Sequence, residues 1–157
     1  MMPIWGVVAL IGLGLLGCWF DVSSRRLPNW LSAIVLLAGL GVAFASGGLP
    51  AMPTHLFHCI IALAAGIGLY AVSVIGAGDA KFYSAIAAWF PLADGLRLLV
   101  SVAMTGALVL LVWALIRRLR GQKVFTLNGQ PTDGVPYGVA IVGGAILVLI
   151  SSRALLA

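Results

Sequence analysis

No glutamate occurs among the 157 residues, and there are only four aspartates: Asp21, Asp79, Asp94 and Asp133. Any acid–base chemistry that relies on carboxylates must draw on these four. Charged residues of both signs make up 8% of the chain, against 62% hydrophobic residues and a mean hydropathy of +1.17. A soluble domain carries about 25% charged residues. A water-soluble fold of this size cannot cover its surface with so few charges, so a lipid bilayer is the expected solvent for most side chains. Cysteine is also scarce. Cys18 and Cys59 form no Cys-x-x-Cys pair and no Cys/His cluster, which excludes the usual zinc-site spacings. No Lys or Arg precedes the apolar run that opens the chain. A cleaved signal peptide needs such a basic region, so the opening segment is read as a retained span despite the lipobox-like Leu15 to Cys18.

The sequence is rich in long apolar runs. A spanning helix needs about 17–25 predominantly apolar residues. Residues 2–20, 30–49, 56–75 and 96–116 meet that length, 135–150 is adequate, and 82–93 is apolar but short. These runs predict an all-α polytopic membrane bundle of about six helices, forming a single domain over residues 1–157. The basic residues lie in short loops between the runs. The first, third and fifth loops carry seven of them: Arg25, Arg26, Lys81, Arg117, Arg118, Arg120 and Lys123. The opposite side carries two, Arg97 and Arg153. The excess of positive charge marks the cytoplasmic side, so both termini are expected outside. The net charge of +5 is explained by orientation in the membrane, and no nucleic-acid partner is expected. On this topology Cys18 and Cys59 lie near opposite faces, about 20 Å apart or more at 1.5 Å rise per residue. Both are expected as free thiols, because a disulfide needs Cα atoms within about 7 Å. The polar stretch 117–134 has turn signals that suit a short hairpin around Asn128-Gly129.

Asp21 follows the last apolar residue of the first run. Asp79 sits in Gly76-Ala77-Gly78-Asp79-Ala80-Lys81, between the third and fourth runs and on the same side. Two carboxylates far apart in sequence are thus expected at one depth, where an apolar bundle meets water. Such a pair cannot ionise fully without repulsion, so it shares a proton. One member then serves as general base on water, and the other donates a proton to a scissile carbonyl. Gly76 and Gly78 are expected to supply unusual backbone conformations or close chain approach, and Asp79 to cap the following helix. Acids within membrane segments are functional candidates by default, although one at a span boundary also serves simply as a cap.

Three segments carry a resemblance. Asp21-Val22-Ser23-Ser24-Arg25-Arg26-Leu27-Pro28-Asn29-Trp30 resembles the stretch after the first span of type IV prepilin peptidases: an aspartate, a basic stretch, then Ile/Leu-Pro-Asn. Gly76 to Lys81 resembles that family's Gly-x-Gly-Asp-x-Lys motif. Val135-Pro136-Tyr137-Gly138-Val139-Ala140-Ile141 resembles the Pro-Tyr-Gly-x-Ala segment that opens its last span. The resemblance implies an intramembrane aspartyl peptidase of the bacterial inner membrane, with Asp21 and Asp79 as the catalytic dyad. Gly76, Gly78 and Lys81 take supporting places, and no metal or other cofactor is required. The implied substrate is a prepilin or pseudopilin with a short basic leader, cut near the cytoplasmic face. The similarity is greatest to the short TadV- or CpaA-like form serving Flp/Tad-type pili. Longer members carry two CxxC pairs after the first span and also N-methylate the pilin. Those cysteines are missing here, so no methyltransferase activity is expected.

The remaining polar residues have simpler readings. Lys81, Arg25 and Arg26 suit orientation and snorkelling, with Lys81 also able to lower the pKa of a nearby acid. Asp94 suits a helix cap and Asp133 a turn. His55 and His58 have no carboxylate nearby and no metal role. Tyr137 and Trp30 suit the membrane interface, and the small residues of 62–68 suit close helix packing. Two rival functions remain open on sequence alone: a small proton-coupled transporter subunit using one aspartate as carrier, and a non-catalytic assembly subunit of a pilus or secretion system.

Overall fold

The computed structural model describes residues 2–121 and 135–154, with side chains described to residue 152. Lys123, the Asn128-Gly129 hairpin, Asp133 and the Arg153 side chain lie outside the described residues. The described chain is helical: α1 (Ile4–Ser24), α2 (Asn29–Ala71), α3 (Ala77–Ala87), a 3-10 turn (Leu92–Asp94), α4 (Gly95–Leu119) and α5 (Tyr137–Ala154). Three stretches are long and apolar enough to cross a membrane: α1, α2 and the run Leu92–Leu119.

α2 is interrupted at Gly48, whose φ of 63 and ψ of −161 are not helical. Only glycine adopts this geometry at low cost. The sequence reading expects a loop through residue 55. Instead the second leg, residues 50–71, starts at once, because Pro50 falls in its first turn, where a missing N–H costs no hydrogen bond. The two legs then run in opposite directions along α3. On the first, the Trp89 indole N–H donates to the Val35 carbonyl at 2.9 Å, and Leu27, just before that leg, lies against Gly78. On the second, Gly66 faces Ala80, while His58 Nδ1 donates to the Phe90 carbonyl at 2.9 Å.

α3 is therefore the centre of the bundle. Phe82, Ile86 and Ala87 are fully buried. α3 is short, about 16 Å at 1.5 Å per residue. The terminal carbonyls of a helix lack partners within it and must find others in an apolar interior. The amides of Ala88, Trp89 and Phe90 donate to the carbonyls of Ser84, Ile86 and Ala87, and just past the helix end His55 and His58 donate to the carbonyls of Ala88 and Phe90. α5 packs antiparallel to α1, with Gly14 against Val142, and antiparallel to α4, where Gly144 meets the backbone of Val102. Lipid offers no hydrophobic drive for helix association, so close packing at small residues must hold such a bundle. A Cβ at Gly17 would approach the Phe82 ring to 2.5 Å, and one at Gly39 would approach Trp89 to 2.6 Å.

The second leg of α2 ends in a Schellman motif. The Val74 amide donates to the Leu69 carbonyl and the Ser73 amide to the Tyr70 carbonyl, both at 2.9 Å. Ser73 occupies the left-handed position with φ 60, which disfavours any residue with a Cβ. Ser73→Gly is expected to stabilise the protein by about 1 kcal/mol, raising its thermal midpoint in detergent. A lower midpoint would contradict this account of the turn.

Candidate active site

The inward face of α1 consists of Gly6, Leu10, Gly14, Gly17 and Asp21, the buried residues of that helix. Their spacing of three and four residues places them on one stripe, and Asp21 is its last member. α1 continues past Asp21 to Ser24, so the aspartate belongs to the final turn of the helix. Arg25 ends the helix in the left-handed conformation, φ 54, its amide donating to the Asp21 carbonyl at 3.1 Å.

Asp21 is 6% exposed, yet its carboxylate is well partnered. The Gly138 amide donates to Oδ2 at 2.7 Å, the Val139 amide donates as well, and the Arg25 charge acts on the same group. These are the first amides of α5. Asp21 thus occupies the anion-binding N-terminus of another helix, where unpaired N–H groups and the helix dipole favour negative charge. Sequence reasoning assigned no role to Gly138 or Val139. The only available signal was the Pro136-Tyr137-Gly138 segment.

Asp79 lies in the first turn of α3, which Gly76 precedes as N-cap residue. Its carboxylate accepts from the Gly76 amide, as the third-position acid does in a capping box. The expectation of unusual glycine conformations fails here. Gly76 has φ −74 and ψ 149, which any residue adopts. The constraint at Gly76 is space, since a Cβ there would lie 2.9 Å from Asp79 Oδ2. Gly78 would bring a Cβ to 3.6 Å from Leu27, an ordinary contact between closely approaching segments.

Both aspartates line one cavity of about 690 Å³, together with Arg25, Asn29, Tyr70 and Lys81. Burial pushes the Asp79 carboxyl up to about 6, the Asp21 charge adds to the rise, and the Gly76 amide opposes it. The two carboxylates are thus near enough to sense one another. Lys81 is not among the causes of the shift at Asp79. Its Nζ donates to Asn29 Oδ1 at 3.0 Å, tying α3 to the start of α2.

Other candidates lie away from this cavity. Asp94 is at the N-cap position of α4 but makes no side-chain cap bond. It pairs instead with Arg97 at 3.3 Å. His55 and His58 are committed to backbone carbonyls. Cys18 and Cys59 are both free. Trp30 is half exposed and meets Phe20 edge to face at 5.7 Å.

Among the described residues the chain is all-helical, with long apolar helices typical of a membrane protein and two aspartates lining one cavity at one end of the bundle. A family model described as the type IV leader peptidase family matches residues 8–118. The match covers more than half of the chain, and the chain belongs to that family of peptidases. It includes both Asp21 and Asp79 and ends before the segment that contacts Asp21. No curated protein and no solved structure matches the chain.

Proposed function

We propose that the protein is a membrane aspartyl endopeptidase. It removes the basic leader from type IV prepilins or pseudopilins, most closely those of Flp/Tad-type pili, and it lacks N-methyltransferase activity. The observation that carries this reading is the convergence of Asp21 and Asp79 in one cavity. Six spans suit it: α1, the two legs of α2, residues 82–93, α4 and α5, with both termini outside. Arg25, Arg26 and Lys81 line the cavity, and α4 ends with Arg117 and Arg118 in its last turn. This excess of cations favours a cytoplasmic position in the bacterial inner membrane. The transporter reading expects an acid near mid-membrane, whereas both aspartates sit at a helix end.

The surroundings support distinct roles for the two acids. Asp21 accepts from two amides and lies near the Arg25 charge. Asp79 accepts from one amide, and burial pushes its carboxyl up to about 6, so in this reading it retains the shared proton. Asp21 takes a proton from water as the oxygen attacks the scissile carbonyl carbon. Asp79 gives its proton to the carbonyl oxygen, forming a neutral tetrahedral diol. Asp21 then returns a proton to the leaving nitrogen as the C–N bond breaks, and Asp79 recovers its proton from the diol. The dyad is regenerated without a metal.

Co-expression with an Flp-type prepilin tests the reading. The pilin is expected to shorten by its leader on a gel, and a full-length pilin beside well-expressed protein would refute it. The pH dependence has a definite sign. A raised pKa keeps Asp79 protonated below about 6, where an ordinary carboxyl is already ionised. As pH rises through that value the pair loses its proton donor. Hence kcat/KM is expected to fall by roughly tenfold per pH unit above it. A rate that is flat or rising between pH 6 and 8 would count against Asp79 as the donor.

A further inference from the structure

A second cavity, of about 540 Å³, lies at the opposite end of the bundle. Met2, the turn at Gly47, the end of α3 and Ser152 near the end of α5 all reach it. Helix ends and turns gathered at one level mark the depth of lipid headgroups in a spanning bundle. Val7, Val42, Trp89 and Leu149 provide apolar walls. Among the described residues, Asp94 and Arg97 are the only Asp, Glu, Lys or Arg side chains lining the cavity.

We propose that this cavity holds one zwitterionic phospholipid, with an acyl chain among the apolar walls and the headgroup at Asp94 and Arg97. The size falls within the roughly 300–1,000 Å³ range of small-ligand sites. The charge pattern selects the headgroup. Asp94 and Arg97 sit 3.3 Å apart with side chains 29% and 44% exposed. A pair this exposed is worth little by itself, so both charges remain available. Arg97 Nη1 also lies 3.5 Å from Ser152 Oγ. A guanidinium matches phosphate geometry through paired N–H donors, and the carboxylate accepts from a primary ammonium. A purely anionic headgroup would meet Asp94 unfavourably, and a purely cationic one would meet Arg97. A headgroup bearing both charges complements both.

The test uses the full chain, delipidated in detergent and then exposed to phosphatidylethanolamine or phosphatidylglycerol, with native mass spectrometry counting bound lipid. One phosphatidylethanolamine per chain is expected, retained about tenfold better than phosphatidylglycerol. Arg97→Gln is expected to lower retention of both lipids about tenfold, the usual scale for losing one charge-assisted hydrogen bond. Asp94→Asn is expected to abolish the preference between them. Both residues are partly exposed at a helix start, so neither change endangers the fold. Equal retention of the two lipids by the unaltered chain, loss of neither in Arg97→Gln, or no lipid retained at all would each overturn the proposal. None of these outcomes bears on peptidase activity, because the dyad lies at the other end.

Discussion

Asp79→Asn and Asp21→Asn are each expected to lower leader cleavage by about 10³-fold or more. General acid–base catalysis alone contributes about 10²–10⁴-fold, and each residue has a proton-transfer role in both halves of the proposed cycle. Asparagine is nearly isosteric with aspartate, and its amide oxygen can still accept from the Gly138 amide on one side or the Gly76 amide on the other. The bundle should therefore assemble normally, and the loss should fall on kcat with little change in KM. The double variant is the sharper measurement. Residues that act as one unit are grossly non-additive, so the double change should cost about as much as either single one. Single-turnover cleavage of a purified prepilin in detergent would give all three rates. A rate within tenfold of normal in either single variant would remove that aspartate from the dyad. Full cleavage in both would support the assembly-subunit reading instead.

The sequence reading and the structure agree where local chemistry decides. Apolar runs predicted the helices, and the gap between residues 49 and 56 separated the second run from the third. The reversal is tighter than expected because prolines open a helix as readily as they end one. The short run at 82–93 could not be understood from its own residues. The burial of its residues 84–90 comes from both legs of α2, from α5 and from α1, and the carbonyls of Ala88 and Phe90 accept from His55 and His58. The sequence reading left those histidines without a function because their partners are backbone atoms more than thirty residues away. The same limit applies at the candidate site. Loop charges and motif order brought Asp21 and Asp79 to one side. They did not show that Asp21 sits at the N-terminus of α5, since that depends on how two helices separated by more than a hundred residues pack together. The two amide hydrogen bonds that Asp21 accepts follow from that packing alone.

Two glycines now stand in matching positions, one beside each carboxylate. An added Cβ would lie 2.9 Å from Asp79 Oδ2 at Gly76 and 2.9 Å from Asp21 Oδ2 at Gly138. In each case the most mobile atom in the contact is the carboxylate oxygen itself. The cheapest relief is to rotate the carboxylate out of its seat, so function is lost before stability. Gly76→Ala and Gly138→Ala are therefore expected to reduce kcat by about 10²-fold, the scale of a misplacement near 1 Å at a reacting group. Gly138→Ala should be the more severe of the two, because Asp21 Cβ and Cγ also lie 3.1 Å from the added atom. Gly78→Ala is the control. Its Cβ would meet Leu27 at an ordinary 3.6 Å, and alanine is the better helix former, so its rate should stay within a fewfold of normal. Rates and thermal midpoints measured together decide the matter. If Gly76→Ala and Gly138→Ala cleave normally, the seats of the two carboxylates do not control the reaction. If all three variants fail alike with lowered midpoints, the glycines serve helix packing and the distinction drawn between them is wrong.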